Sequence, residues 1–474
     1  MEEQEASFVI IGGGIAGVSC AEGLQCLCPE EKTILLTASP VVKRVTNVVP
    51  LTKMLAKFDV EEITPDSVEQ ESLIVIQDPV ASINSSNHTV TSISGRIFRY
   101  KKLCVCTGGV PRLISTNEHV IGIRDTESVA SFQKRVANSQ RIVVVGNGGI
   151  ATEIVYELTG VEIVWVIKDN HISAPFIDPG AAEFFQDSLK QGKLKTEDKK
   201  PIKRKVYTVS GAETVSGGAA LGPDWHTNYN LHGKSSFKSK VNVEYNCEVS
   251  AVLNPEEVDE SCKIVDEKWP VYVKLTNGRT YGCDLIVSAT GVVPNSDIVF
   301  TDGKQFDLAE DKGIRVNEQM ETNVMDIFAA GDVCTPVWEL APHWFQMRLW
   351  TQAHQMGSYV AKTMHASLIN QPVLQDFCFE LFTHVTNFFG YNVVILGLFN
   401  AQKLGQNYSC LLRVTPGVEY LKIVMKEGRM QGAVLIGDTD LEEMCENLIL
   451  NQLDLTNLEN DLLNPDIDMD DYFD

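Results

Sequence analysis

Two glycine patterns have the residue types and the spacing of a turn that binds phosphate. GxGxxG occupies residues 12–17, and GxGxxA follows about 130 residues later at residues 146–151. In such a turn the first glycine permits a tight bend, the second lets the backbone approach a pyrophosphate, and the third position lets a helix pack closely. The amides at the start of that helix then bind the phosphates. Each pattern therefore predicts a dinucleotide site, and the repetition predicts two of them.

The segments around each pattern are those that a dinucleotide site needs. The apolar run at residues 8–11 is too short for a helix, the residues after the first pattern up to Leu27 suit a helix, and residues 33–37 suit a strand. The second pattern likewise follows an apolar run at residues 141–145 and precedes a helix and the strand-like residues 162–167. Strand, glycine turn, helix and strand form a Rossmann unit. We therefore predict an α/β fold with two Rossmann-like domains.

Composition narrows the class of protein. The chain has 474 residues, a net charge of −23 and 44% hydrophobic residues, which indicates a globular protein of more than one domain. The negative charge disfavours direct nucleic-acid binding, and no apolar run reaches the roughly 20 residues that span a bilayer. The acidic N-terminus leads straight into a strand, unlike a secretory or mitochondrial leader. We expect a cytoplasmic and nuclear protein with no membrane partner and, since no CxxC occurs, no metal site.

Three further strand-plus-glycine segments complete a recognisable order. They are Thr-Gly-Gly at residues 107–109, Ala-Thr-Gly at 289–291 and Ala-Ala-Gly-Asp at 329–332. Together with the two glycine patterns, they resemble the pyridine nucleotide-disulphide oxidoreductases, flavoproteins in which an NAD(P) domain is inserted into an FAD domain. The resemblance implies an FAD domain at 1–115 and 300–370, flanking an NAD(P) domain at 116–299 in which 190–240 is an insertion. The residues themselves indicate a C-terminal α+β domain at 376–453, which in the family commonly serves as an interface, and an acidic tail at 457–474.

The same resemblance implies which residues hold FAD and NAD(P)H. Asp332 would accept a hydrogen bond from the ribityl chain of FAD, and a helix expected at about residues 344–364 would direct its positive N-terminal end at the flavin. The residues expected at the two cofactor sites are Gly12, Gly14, Ile15, Ala16, Gly17, Ser39, Lys43, Thr107, Gly108, Gly331 and Asp332 for FAD, and Gly146, Gly148, Ile150, Ala151, Lys168 and Gly291 for NAD(P)H.

The strand after each glycine pattern departs from the usual dinucleotide site. Such a strand often ends in an acidic residue that binds a ribose. The first strand instead offers the hydroxyls of Thr37 and Ser39, and the second has Ile167 where an acid would select NAD. Lys168 follows, where it could meet a 2′-phosphate. The sequence therefore leaves open the choice between NADH and NADPH.

The cysteines depart from the disulphide reductases of the family, which carry CxxxxC, CxxC or a C-terminal pair. The sequence has none of these motifs. Cys104 and Cys106 share one face of a strand, where a disulphide is expected to fit badly. Cys334 is a weak catalytic candidate because it lies two residues after Asp332, and its alternative is a small packing residue. Lys43 is the other weak candidate: it could contact the flavin or the nicotinamide, or be a solvated loop charge.

The function indicated is an FAD-dependent NAD(P)H oxidoreductase without a dithiol motif, with oxygen or a quinone-like acceptor. Two alternatives stay open: a disulphide reductase whose cysteines meet only in the folded protein, and a binding module whose cofactor redox state controls partner association. Segments in both lobes, the insertion and the tail resemble one member of the family. That closer resemblance implies protection of the catalytic subunit of the tRNA ligase complex from oxidative inactivation, with binding through the C-terminal domain and acidic tail.

The insertion at 190–240 is basic in its first half, which is typical of a solvated face and also suits an anionic partner. Its more apolar part, residues 219–226 with Trp225, could fold back onto the body of the protein or onto a partner. Beyond the insertion, the sequence predicts strands at 393–399, 411–414, 420–425 and 428–437 and a helix at 440–451.

Overall fold

The computed structural model describes residues 3–186, 189, 221–235, 240–258, 268–459 and 461–464. The chain forms two compact units. Among the described residues, the first comprises residues 3–110, 221–223 and 293–382, and the second comprises residues 111–186, 189, 224–235, 240–258, 268–292, 383–459 and 461–464.

Strands greatly outnumber helices among the described residues. In chain order the strands are β1 (Glu3–Ile11), β2 (Thr33–Thr37), β3 (Val42–Pro50), β4 (Ala56–Ile63), β5 (Leu73–Gln77), β6 (Val80–Asn84), β7 (Thr89–Ser92), β8 (Ile97–Val105), β9 (Gly109–Pro111), β10 (Val120–Gly122), β11 (Arg141–Val145), β12 (Glu162–Val166), β13 (Lys240–Glu244), β14 (Val249–Leu253), β15 (Val271–Leu275), β16 (Thr280–Cys283), β17 (Leu285–Ser288), β18 (Val292–Pro294), β19 (Ile314–Val316), β20 (Ile327–Ala329), β21 (Cys334–Pro336), β22 (Thr383–Phe388), β23 (Tyr391–Gly397), β24 (Ser409–Thr415), β25 (Glu419–Lys426) and β26 (Arg429–Ile436). The helices are α1 (Ile15–Leu27), α2 (Thr126–Val136), α3 (Gly149–Glu157), α4 (Pro179–Phe184), α5 (Trp350–Leu368) and α6 (Glu442–Asn451).

The first unit is built on a sheet with the order β5-β2-β1-β8-β7-β6, to which β20 adds beside β8. Strands β5, β2, β1, β8 and β20 are parallel. The apolar end of β1 is fully buried, as expected for a parallel strand covered on both faces. In the register of the sheet, Val105 lies beside both Ile11 and Ala329. The segments after these three strands therefore meet at one edge of the sheet.

The second unit contains a fully parallel sheet with the order β10-β17-β11-β12-β13. A separate antiparallel sheet, β14-β15-β16, lies in the same unit. Parallel order, with α3 crossing from β11 to β12, is that of a Rossmann fold. The parallel strands of the two sheets, joined by helices, confirm the predicted α/β fold class.

The C-terminal residues form an antiparallel sheet, β22-β23-β26-β25-β24, with α6 packed on it. This sheet contacts the segment around α4 within the second unit. Lys422 of β25 lies 2.6 Å from Asp178, the residue that caps α4, and Phe176 packs edge-on against Phe388. An ion pair and aromatic contacts thus fix the sheet to the rest of this unit. The domain boundaries inferred from the sequence stay predictions.

Several elements differ from the expectation. The helix expected at 344–364 is α5, which begins at Trp350 and ends at Leu368. It starts late because the Gln352 side chain bonds the Met347 amide and the Phe345 carbonyl, at 2.8 and 2.7 Å, and so satisfies them outside the helix. The four predicted C-terminal strands and their helix are present with ends shifted by about two residues.

Some strands were not predicted from the sequence, and some predicted segments lie outside the described residues. The sequence did not indicate the β3–β4 hairpin, the β14–β16 sheet or β22. Most of the basic insertion and the last ten residues lie outside the described residues. Among those that are described, no helix is both long and apolar enough to span a bilayer. Within the same residues, no group of three or more His, Cys, Asp or Glu could hold a metal ion.

Candidate functional site

The first glycine turn, between β1 and α1, has space only for glycine at two positions. Gly12 has a φ of +119°, and a Cβ there would lie 2.2 Å from the Cys106 carbonyl oxygen. A Cβ on Gly17 would lie 1.9 Å from the carbonyl oxygen of Gly12. The cap residue of α1 is Gly14, which has no side chain to satisfy the first amides of the helix. The turn therefore fits an anionic group at the start of α1.

The Gly331–Asp332 turn lies against the first turns of α1 and α5. Gly331 has a φ of +80°, and a Cβ there would lie 2.8 Å from the Cβ of Ala16. Close packing of the two helices produces this arrangement, since a Cβ on Gly357 of α5 would lie 2.3 Å from the Ala16 carbonyl oxygen. The structure thus brings Asp332 to the start of α1. Its contact with the ribityl chain of FAD remains a prediction that this placement suits.

The second glycine turn, between β11 and α3, combines one crowded and one open position. Gly146 has a φ of +125°, and a Cβ there would lie 2.1 Å from the Ala289 carbonyl oxygen. A Cβ on Gly148, the cap of α3, would have no described heavy atom within 4 Å, and the same holds for a Cβ on Gly291. Ala151, where the first pattern has glycine, is fully buried. The open space around Gly148 and the start of α3, which has no side-chain cap bond, fit a dinucleotide pyrophosphate.

Asn147, inside the second glycine pattern, is a residue that the sequence reasoning missed. Its Nδ2 donates to Asp169 Oδ2 at 2.8 Å and to the His171 carbonyl at 2.9 Å, and its Oδ1 accepts from the Ser173 amide at 2.6 Å. It therefore ties the glycine turn to the segment after β12. Lys168 lies in that segment and is exposed, as its predicted contact with the nucleotide requires.

The hydroxyls proposed for the FAD site are engaged within the protein. Thr37 and Ser39 bond each other at 3.2 Å, and the Ser39 hydroxyl accepts from the Val41 amide at 3.3 Å. Thr107 donates to the Asn295 carbonyl at 2.6 Å, just before Gly108, whose φ is +68°. These bonds shape the turns after β2 and β8. Roles of these residues toward FAD stay predictions.

Lys43 is not a solvated loop charge, so that alternative is wrong. It lies in β3, is 2% exposed, and forms an ion pair with Glu62 of β4, which is 5% exposed. Its amide also donates to the Gly13 carbonyl at 2.9 Å, which holds it beside the first glycine turn. The pairing arises from the hairpin, in which Lys43 and Glu62 are directly opposite each other. Sequence reasoning missed Glu62 because no motif marks it.

The cysteines near the first glycine turn are buried thiols. Cys334 is fully buried, donates to the Gly331 carbonyl at 3.3 Å, and has its pKa raised by burial. Cys104 and Cys106 have their sulfur atoms 3.5 Å apart, closer than their strand geometry suggested. Burial raises the pKa of Cys104 well above its ordinary value, and its neighbours Cys106 and Cys20 raise it further. Because the thiolate is the reactive form, this environment disfavours a nucleophilic role.

Two glutamates of α3, Glu153 and Glu157, contact Trp225 and its neighbour His226. The Trp225 indole donates to Glu153 Oε2 at 2.6 Å, and His226 lies 3.4 Å from Glu157, one turn further along the helix. The sequence left open whether the apolar end of the insertion packs on the body of the protein or on a partner. Trp225 packs on the body of the protein. Burial raises the pKa of Glu153 to about 7. Burial alone would lower the pKa of His226, but the Glu157 carboxylate raises it.

We expect Glu153→Gln to stabilise the protein above pH 7 and to have no such effect near pH 4. The folded-state pKa of about 7 exceeds the ordinary value of 4.5, so the stability contributed by protonated Glu153 is present below pH 4.5 and lost as the pH rises through 7. The loss amounts to about 3 kcal/mol. Glutamine keeps an acceptor for Trp225 and cannot ionise. Urea unfolding at several pH values, with the exposed Glu183→Gln as control, measures the difference; a gain independent of pH would contradict it.

We compared the chain that carries these two sites with known protein families and proteins. The family model described as pyridine nucleotide-disulphide oxidoreductase matches residues 6–213 and 232–357. The pyridine nucleotide-disulfide oxidoreductase domain-containing protein 1 of Rattus norvegicus is 49% identical to this chain. The alignment, 493 positions long with its gaps, covers 99% of this chain and 98% of that protein.

Two solved structures share the fold at low identity. The putidaredoxin reductase in its covalent complex with putidaredoxin has a TM-score of 0.66 at 18% identity, with 97% of each chain covered. The water-forming NADH oxidase from Lactobacillus brevis, bound to NADH, has a TM-score of 0.66 at 16% identity, covering 96% of this chain and 92% of the oxidase. Fold, glycine turns and sequence agree, and they confirm FAD and NAD(P)H as the cofactors. The chain belongs to the pyridine nucleotide-disulphide oxidoreductase family.

Proposed function

We propose that this chain is an FAD-dependent NAD(P)H oxidoreductase that binds FAD at the β1–α1 turn and NAD(P)H at the β11–α3 turn. The proposal rests on one observation, which is that parallel strands β1 and β11 each lead through a glycine turn into a helix, capped by Gly14 and Gly148 respectively. Both caps leave amides for a pyrophosphate. When bound, FAD supplies the redox chemistry that no side chain provides.

The residues of the chain supply binding, orientation and charge. The amides at the starts of α1 and α3 bind phosphates, and Asp332 orients the ribityl chain. Lys43 bonds the Gly13 carbonyl through its amide, and its buried ammonium is paired with the Glu62 carboxylate. The start of α5 contributes a positive dipole end, because its cap residue Leu349 has no polar group with which to satisfy the first amides. The starts of α1 and α5 favour additional negative charge at the FAD site.

Electrons then leave without a motif-bearing dithiol, to oxygen or a quinone-like acceptor. Buried thiols with raised pKa values support this route, as does the structural similarity to a water-forming NADH oxidase. One observation favours the alternative of disulphide reduction, namely the 3.5 Å contact between the sulfur atoms of Cys104 and Cys106. Replacing Cys106 or Cys334 with serine distinguishes the two. Turnover that survives both substitutions supports direct transfer, and loss of turnover with one specific thiol supports the dithiol.

Anaerobic addition of NADH or NADPH to the purified protein is expected to bleach the absorbance of its bound flavin. Readmitting air, and then a quinone, measures which acceptor restores the oxidised spectrum. Comparing the two nucleotides also determines the preference that Lys168 leaves open. A protein without bound flavin, or one whose flavin is bleached by neither nucleotide, would contradict the proposal.

A third possibility is a binding module in which cofactor redox state controls partner association. The extended edge of the C-terminal sheet supports partner binding, since β24 exposes Leu412 and Val414 on one face and Val418 follows nearby. Partner binding that requires NAD(P)H, combined with negligible steady-state consumption of NAD(P)H, would favour this module over an ordinary enzyme.

We further propose that the partner is the catalytic subunit of the tRNA ligase complex, which the protein protects from oxidative inactivation in the cytoplasm and nucleus. The support is the resemblance of the sequence to one member of the family, together with the exposed β24 edge. Binding would use the C-terminal domain and the acidic tail, of which residues 465–474 lie outside those described. Co-purification with and without NAD(P)H, using full-length protein, Leu412→Asp and a tail deletion, tests the proposal; undiminished binding by both variants would contradict it.

A further inference from the structure

Arg348 has an unusual backbone conformation directly before the start of α5. Its φ is +54°, and it is followed by Leu349, the cap residue of the helix. A residue other than glycine in this region costs on the order of 1–3 kcal/mol and persists only where surrounding contacts enforce it. The contacts that enforce it are made by the guanidinium group.

The guanidinium of Arg348 joins three separate segments of the first unit. Its Nε donates to the Asp332 carbonyl at 3.0 Å. Its Nη2 donates to Asp311 Oδ2 at 2.6 Å and to Thr335 Oγ1 at 2.9 Å. Asp311 is held in turn by the Gly313 amide at 3.0 Å. One side chain thus connects the Gly331–Asp332 turn, the strand β21 and the loop before β19 to the start of α5.

The surroundings leave little room for this group to move. A Cβ on Gly313 would lie 2.0 Å from Thr335 Oγ1 and 3.1 Å from Arg348 Nη2. Gln346 supports the same segment by donating to the Cys334 carbonyl at 2.9 Å. The Arg348 side chain is 18% exposed, and its guanidinium is fixed by these partners.

We propose that Arg348 is a positioning residue for FAD: its guanidinium holds the Asp332 turn in a fixed relation to the N-terminal end of α5. The inference rests on the proposed function, because it concerns how FAD is held. Asp332 and the start of α5 act on FAD from different segments of the chain. Their relative position is set by the Arg348 contacts and by the packing of Gly331 against Ala16. Without the guanidinium, this packing and the Gln346 bond to the Cys334 carbonyl hold the two segments together, and no described bond reaches the Asp332 carbonyl from Arg348.

The test is FAD binding by the full-length protein, stripped of flavin and reconstituted. Arg348→Ala is expected to raise the FAD dissociation constant about 10- to 100-fold, the equivalent of one or two charge-assisted hydrogen bonds. Arg348→Gly relieves the positive φ and should weaken binding as much as the alanine variant. Arg348→Lys should recover part of the affinity, and Asp311→Asn should give an intermediate loss. Arg99→Ala, which removes an exposed ion pair with Glu3, is the matched control.

A second readout separates positioning from general stability. The flavin midpoint potential should shift to more negative values in Arg348→Ala, since the α5 dipole then stabilises the reduced flavin less. Wild-type FAD affinity in both the alanine and the glycine variants would overturn the inference. Wild-type FAD affinity in the glycine variant alone would also overturn it, because the loss in the alanine variant would then come from backbone strain and not from the missing guanidinium. Failure of the wild-type protein to bind FAD would instead refute the proposed function.

Discussion

Gly148→Ala is expected to lower the affinity for NAD(P)H about 100-fold while leaving the fold and the FAD content intact. The position has a φ of −84°, which alanine adopts without strain, and no described atom lies within 4 Å of the added methyl group. The methyl would instead occupy the space into which a pyrophosphate must come to reach the amides of α3. Losing one or two hydrogen bonds to a charged group costs about 3 kcal/mol, which corresponds to about 100-fold in affinity.

The matched variant at the neighbouring glycine should behave in the opposite way. Gly146→Ala places a Cβ 2.1 Å from the Ala289 carbonyl oxygen at a φ of +125°, so it should destabilise the second unit itself. Nucleotide affinity from anaerobic flavin titration, flavin content from absorbance, and thermal unfolding measure the three quantities separately. Wild-type nucleotide affinity in Gly148→Ala, or a loss of stability equal to that of Gly146→Ala, would contradict the assignment of the β11–α3 turn.

The glycine turns could be predicted from sequence because their requirements are local. A buried parallel strand must be apolar throughout, and the turn that follows needs glycine within a few residues. At Gly12 and Gly146 both the positive φ and the close carbonyl oxygen follow from this local geometry. The order of the motifs along the chain was therefore sufficient to predict two Rossmann-like sheets and their cofactors.

The charged contacts could not be predicted because they depend on pairings that the sequence does not encode as a motif. Glu62 faces Lys43 only because of the register of the β3–β4 hairpin, which includes an irregularity between Thr46 and Val49. Trp225 reaches Glu153 across 72 residues of chain. The late start of α5 likewise depends on the Gln352 side chain, whose bonds to preceding backbone groups compete with helix formation.

Glu62→Ala is expected to reduce the free energy of unfolding by about 3–5 kcal/mol, because it removes a carboxylate that contacts a buried ammonium. Lys43 and Glu62 are only 2% and 5% exposed, so water cannot readily replace the lost partner. The double variant Lys43→Met, Glu62→Leu removes both charges and keeps apolar volume. It should therefore be much more stable than Glu62→Ala, since a well-packed apolar pair often replaces a buried ion pair at little cost.

Urea unfolding of the flavin-free wild type, Lys43→Met, Glu62→Leu and the double variant forms a double-mutant cycle that measures the coupling between Lys43 and Glu62. Glu62→Ala is unfolded under the same conditions. Arg99→Ala, which removes an exposed ion pair, should change stability by no more than about 1 kcal/mol. Equal losses in Glu62→Ala and in the double variant would contradict the account of the pair. The flavin potential then separates stability from function: if the Lys43 ammonium acts on the flavin, the stable double variant should have a more negative flavin potential than the wild type. If its potential equals that of the wild type, the pair serves the hairpin alone, and the positive field at the flavin site must come from the starts of the helices.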